Sequence, residues 1–197
     1  MQILLQTVAT IFLVDFVSGF FHWLEDAYGN PDWPITGKLV TRPNILHHHD
    51  PRHFTKHTWF QSSWDLLCLG ALIVLVAWIS GLLTWQVWLF AILGVNANQI
   101  HKWAHRTPAE NGAVISFLQR MRLVQSCRHH AGHHHDPKTS RYCVLTNFLN
   151  PLLDGIGFWT GLEKLIWALF RVQRRPDASQ SSPALAVALV RRILKKV

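Results

Sequence analysis

Residues 66–95 read LLCLGALIVLVAWISGLLTWQVWLFAILGV, a run of 30 positions without a charge. As one straight helix the run would be about 45 Å long, well beyond a hydrocarbon layer of about 30 Å. Divided at Ser80-Gly81, and extended back to Ser62 and forward to Gln99, it gives two short spans, 62–79 and 83–99. Short spans are tolerated where the bilayer thins or neighbouring helices help. Charge decides between the two readings. All 19 Lys and Arg lie between 38 and 56, between 102 and 141, or beyond 163. A hairpin puts every one of them on one side, which the positive-inside rule makes cytoplasmic. A single long span would divide them across the bilayer, and the histidines with them.

Working outward, 1–21 reads MQILLQTVATIFLVDFVSGFF, with one acid and no basic residue. It lacks the basic leader and small-residue cleavage site of a signal peptide, so a retained membrane helix with its N-terminus outside is expected. Beyond the hairpin, 101–141 is polar and rich in histidine. The segment TNFLNPLLDGIGFWTGLEKLIWALFRV mixes charges with aromatics and predicts an interfacial helix over about 152–172. PDASQSSP, 176–183, reads as a flexible linker. ALAVALVRRILKKV, 184–197, reads either as a surface helix drawn to anionic lipid or as a frayed tail. The organisation expected is one domain over 1–172 followed by a linker and basic tail over 173–197.

Composition agrees with a membrane setting. The chain is 49% hydrophobic with positive mean hydropathy, and 15% of its residues are charged, where a soluble domain carries about a quarter. Ten tryptophans suit the membrane–water interface. Cys68, Cys127 and Cys143 form no CxxC, so neither a disulfide framework nor a zinc-thiolate site is expected, and reduced, buried thiols are. The net charge of +8 falls between apolar segments rather than along a soluble face, which argues against a nucleic-acid binder.

The chain carries 13 histidines, and their spacing is the strongest chemical signal. His101 and His105 stand at i and i+4 and share a helical face; His130 stands three and four residues before His133 and His134; His22 and Asp26 are again i and i+4. Asp15, Gly19, His22 and Asp26 fall on one stripe of the first helix, and an acid within a span turns toward the protein interior. His47, His48 and His49 form a fourth cluster. A lone histidine is ordinarily a satisfied polar residue, but four clusters on one side of one membrane are not explained so. Neutral imidazole is the commonest metal ligand, and eight or more convergent nitrogens exceed what one ion uses. A structural zinc site wants four ligands, usually with thiolate, which is not placed here. Two first-row ions fit the count, and imidazole leaves iron, zinc and copper open. The fold class expected is all-α, an integral membrane helical bundle with a cytoplasmic-side, His-rich di-metal site.

DFVSGFFHWLED, WPITGKLVTRP, HHHDPRHFTKH, NQIHKWAH, HHAGHH and NPLLDGIGFW, in this order, resemble the membrane lipid desaturases of the Kua/CarF type, from about Asp15 to Val172. The resemblance implies an oxygen-dependent enzyme with two iron ions that introduces a double bond into a chain of an intact lipid. It implies His22, Asp26, His47, His48, His101, His105, His130, His133 and His134 as the metal shell. His57 and His129 match as further ligands or as donors that orient ligands. His49, His53 and His135 fall where the family needs no histidine. Asp154 either holds a ligand histidine by its ring N–H or caps the following helix.

The family divides by substrate. A plant branch that desaturates an acyl chain of phosphatidylglycerol lacks a histidine at the position of His57 and differs at IHKW, 100–103. This chain keeps both, which implies the ether-lipid branch and conversion of the 1-O-alkyl chain of plasmanylethanolamine to the vinyl ether of a plasmalogen. It departs from that branch after His57, at WFQSSWDLL. An acyl desaturase or hydroxylase on the same scaffold is the alternative. A metal carrier or transporter would need polar residues through the spans, where the hairpin offers Asp65 and a few amides. With no flavin, haem or dinucleotide motif visible, electrons are expected from a separate protein, cytochrome b5-like or ferredoxin-like. Lys102, Arg106, Arg128 and Arg141 are candidates to hold the lipid phosphate, or are ordinary positive-inside charge. The membrane would be the inner membrane of a bacterium or the endoplasmic reticulum of a eukaryote.

Overall fold

The computed structural model describes residues 1–176, so the expected tail and all of the linker beyond Pro176 lie outside the described residues. The described chain is all-helical. Its first helix, α1 (Gln2–Tyr28), has 27 residues, about 40 Å at 1.5 Å per residue. That length crosses an apolar layer and still carries the helix two turns past the expected limit at residue 21, with His22 and Asp26 on the extension. A π-helical turn, Gly37–Thr41, runs into α2 (Arg42–His49), whose Pro43 sits in the first turn, where its missing N–H costs nothing.

The uncharged run does fold as a hairpin. α3 (Trp59–Ile79) opens on a capping box between Thr58 and Gln61 and ends at a turn where Gly81 adopts φ 69°. α4 (Trp85–Val95) returns, but it has only 11 residues. The expected span to Gln99 is broken at Asn96, whose side chain donates to Ile92 O at 2.8 Å and accepts from Trp59 Nε1 at 3.0 Å. After that break α5 (Ala97–Ala104) follows and delivers His101. α6 (Pro108–Arg120) and the short α7 (Cys127–Ala131) follow. In place of one interfacial helix over 152–172 there are two, α8 (Leu149–Gly155) and α9 (Phe158–Phe170), separated where Gly157 takes φ 65°.

α3 packs on α4, and α4 on α1. The outer faces of these helices expose Leu72, Val76, Trp78, Trp88 and Ile92, as a lipid-facing surface would. The thiols depart from expectation: Cys143 is buried, Cys127 is partly exposed, and Cys68 is exposed on the apolar face of α3. A thiol is a small hydrophobe and suits such a face.

Between α7 and α8 the chain runs without regular structure along α1. Irregular backbone at membrane depth is tolerated only where its polar groups are satisfied by protein, and the α1 stripe does this. Asp15, fully buried, accepts from the backbone N–H of Leu145 at 2.8 Å, from that of Thr146 at 3.1 Å and from the Thr146 hydroxyl at 2.5 Å. Gly19 admits the segment: a Cβ there would lie 2.6 Å from Cys143 Sγ and 2.9 Å from its nitrogen. On the other side Asn150 accepts from Cys143 N–H at 2.9 Å and donates to Cys143 O at 2.8 Å.

Candidate metal centre

The histidines of α1, α2, α5, α7 and the turn after α7 converge into two adjoining groups. His47, His101, His105, His130 and His134 form one; His22, Asp26, His48 and His133 form the other. Within each group the candidate ligand atoms lie within 4.8 Å of one another. The partition follows from helix geometry. Side chains at i and i+4 share a face, so His101 pairs with His105 and His130 with His134, while neighbours at i and i+1 diverge. His47 and His48 therefore point into different groups although their rings are only 5.7 Å apart. His133 likewise faces the second group and His134 the first.

In the second group the inner nitrogens are presented by partners on the outer ones. His22 Nδ1 donates to the carbonyl of Tyr142 at 3.1 Å and His133 Nδ1 to that of Ser140 at 2.7 Å. A carbonyl only accepts, so both rings carry their proton on Nδ1 and turn the Nε2 lone pair inward. Asp26 Oδ1 accepts from Asn44 Nδ2 at 2.6 Å and lies 3.0 Å from His48 Nε2; Oδ2 lies 3.4 Å from His133 Nε2. In the first group the Nε2 atoms of His101 and His130 are 2.7 Å apart, and those of His105 and His134 lie 3.2 Å from His101 and His130 respectively.

Burial, then the neighbouring imidazoles, holds His47, His101 and His130 well below the ordinary imidazole range, and pushes His105 down to about 3. Neutral rings are the metal-binding form. The donor set fits a metal. Buried polar atoms are normally paired, yet both nitrogens of His47 and the inner Nε2 of His22 and His133 have no hydrogen-bond partner. Lone pairs facing one another at such distances in a buried site want a shared cation.

All nine residues of the expected shell are thus brought together. His57 and His129 are not with them. The His57 ring meets that of His53 edge to face, with centroids 5.2 Å apart, and the His57 carbonyl accepts from Lys102 Nζ at 3.1 Å. His129 Nε2 accepts from Asn150 Nδ2 of α8 at 3.1 Å. His49, His53 and His135 lie outside both groups. Asp154 neither orients a histidine nor caps a helix start; it sits at the end of α8 and accepts from the Arg141 backbone N–H at 3.2 Å.

The candidate phosphate cations also change role. Lys102 is buried and donates to the carbonyls of His57 and Thr58; Arg106 donates to Thr55 O at 2.8 Å and Arg141 to His129 O at 3.3 Å. These three hold the chain's own backbone, while Arg128 is exposed.

Three features were not anticipated: Asn44 behind Asp26, the carbonyls of Tyr142 and Ser140, and a cavity of about 400 Å³ between α1, α3 and α4. Asn44 had a signal, since it stands three and four residues before His47 and His48 on one short helix. The cavity meets His22, His47 and His101 at one end, with Glu25, Asp65 and Asn98 also on its wall, and Val14, Ile73 and Phe90 line its apolar part.

Comparison with known proteins places this geometry. Residues 11–177 match a family model described as a lipid desaturase domain. The chain is 35% identical to plasmanylethanolamine desaturase 1 of Mus musculus over 89% of its own length and 69% of the relative's. It is 33% identical to plasmanylethanolamine desaturase of Myxococcus xanthus, over 88% of its length and 64% of the relative's. It is 32% identical to fatty acid desaturase 4-like 1, chloroplastic, of Arabidopsis thaliana, over 90% and 60%. The chain thus spans about two thirds of these relatives' lengths. No solved structure matches it.

Proposed function

The chain belongs to the lipid desaturase family, and on that footing we propose that it is an oxygen-dependent membrane enzyme that converts the 1-O-alkyl chain of plasmanylethanolamine to a vinyl ether. The observation that carries the reading is one junction: two buried imidazole groups meet the end of an apolar cavity of about 400 Å³. That volume lies in the usual range of ligand sites, roughly 300–1,000 Å³.

His47, His101, His105, His130 and His134 would hold one iron ion and His22, Asp26, His48 and His133 a second, and the pair would supply the oxidation of unactivated C–H bonds that no side chain can perform. One dioxygen, two electrons and two protons are consumed while two hydrogens leave adjacent carbons, giving a double bond and two waters. The chain's own residues do the rest. His22 and His133, locked by backbone carbonyls, keep their inner nitrogens fixed. Asn44 holds the Asp26 carboxylate in place. The cavity wall excludes water and aligns the alkyl chain. From His22 to Val14 the wall follows eight residues of α1, about 12 Å, so carbons next to the ether oxygen reach the histidine end while the tail lies deeper.

The segregation of Lys and Arg supports a cytoplasmic metal site in an inner or endoplasmic-reticulum membrane. Electrons come from a separate donor of the cytochrome b5 or ferredoxin kind. Residues 1–172 form the catalytic domain, and the four basic residues within 184–197 suit attraction to anionic lipid.

Lipid profiling of cells with and without the chain tests this reading. Acid-labile vinyl ethers should appear only with the chain present. A second reading is favoured by the plant relatives named as fatty acid desaturases: the same site acting on an acyl chain. Vinyl ethers independent of the chain, with another unsaturated lipid dependent on it, would establish that reading instead.

A further inference from the structure

Two helical glycines line the cavity, and they are there for different reasons. Gly70, on α3, is required by packing: a Cβ there would lie 2.6 Å from Val95 Cγ2 of α4. Gly94, on α4, is not. A Cβ at Gly94 would meet nothing within 4 Å. Its φ is not positive, so no backbone conformation demands glycine either. A glycine inside a helix is less favourable than alanine, and here neither steric nor backbone need offsets that cost.

Position supplies the reason. Phe90, Ala91, Gly94 and Val95 are the α4 residues on the cavity wall. At about 100° per residue they cover an arc whose edges are Phe90 and Val95 and whose middle is Ala91 and Gly94. The two smallest side chains therefore face the lumen centrally. The same cavity wall carries the bulkier Leu69 and Ile73 of α3 and Val17 and Phe21 of α1. On α4, Ala91 is already buried, so Gly94 is the place where added bulk would enter free space in the cavity.

We propose that Gly94 is a specificity-determining position: the missing side chain leaves the width through which one saturated hydrocarbon chain passes the histidine end of the cavity. This rests on the cavity being the substrate-chain site. It makes Gly94 a positioning residue that touches the chain of the lipid and leaves the metal groups untouched.

The test uses the full chain purified as wild type, G94A, G94F and I92F. Ile92 is on the same helix but faces outward, 57% exposed. Each protein is incubated in air with a reduced electron donor of the cytochrome b5 or ferredoxin kind and with vesicles containing 1-O-hexadecyl phosphatidylethanolamine; retained lipid, bound metal, melting temperature and turnover are read together. G94F should lose about tenfold or more of lipid retention and turnover, the scale of a size mismatch in an apolar pocket, with metal content and melting temperature unchanged. G94A should melt no lower than wild type and lose part of its retention, and I92F should behave as wild type. Retention by G94F within twofold of wild type would overturn the proposal. If G94F does not fold, G94A decides: folded with reduced retention supports the proposal, while wild-type retention or failure to fold overturns it. A wild type that retains the lipid yet forms no double bond would sink the desaturase reading and leave the role of Gly94 standing.

Discussion

At the scale of single residues, the site depends as much on what stands behind the ligands as on the ligands. Asn44 shows this most directly, because its amide is the closest contact of Asp26 and touches no inner nitrogen. Replacing such a supporting partner typically costs 10–100-fold, roughly, in metal affinity. Asn44→Ala should therefore weaken metal binding by about that factor while leaving the helical content intact, as read by competition with a chelator; unchanged affinity would show that Asp26 needs no orientation. The histidines make a second expectation, on pH. His105 falls from an ordinary 6.5 to about 3 because burial disfavours its charged form. A depressed histidine stabilises the fold fully above its unfolded pKa, and that stability is lost as pH falls from about 6.5 toward 3. His47, His101 and His130 shift the same way. Thermal unfolding of metal-stripped protein should show a melting temperature that declines steadily below pH 6.5. A flat profile would mean the rings are not buried neutral.

At the scale of elements, α1 is the scaffold for the irregular segment that fixes His22. Asp15 satisfies two backbone N–H groups and one hydroxyl of that segment. Asp15→Ala leaves those donors buried without partners, at a cost of about 3 kcal/mol or more. Its melting temperature should drop and its bound metal with it, because the Tyr142 carbonyl lies in the same segment; wild-type stability would contradict this role. Much of α1 was legible in advance. The stripe Asp15, Gly19, His22, Asp26 follows from i, i+3 and i, i+4 spacing alone, and the hairpin from the placement of charges. The break at Asn96 was not, because it depends on a contact with Trp59, 37 residues away. The separation of α8 from α9 rests on Gly157 at positive φ, and a lone glycine in an apolar pattern leaves that undecided.

At the scale of the whole molecule, a membrane protein of 197 residues gathers candidate ligands from four places in its sequence. The residues that converge could be anticipated because imidazole repeats at helical spacing are rare without a purpose. The partition into two groups could not, since it depends on how α2 faces α5 and α7. The same limit explains His57 and His129, which lie in the same motifs, but the ring of His57 meets those of His53 and Phe54 and that of His129 accepts from Asn150. The cavity is a property of three helices packed together, and its lining has no local pattern.

The central claim is that the two histidine groups each hold an ion, and metal content per chain tests it most directly. Full-length protein purified without chelator should carry two iron ions per chain, His133→Ala clearly fewer, and His135→Ala two. One ion or none in the active wild type, or two retained by the inactive His133→Ala variant, would contradict it.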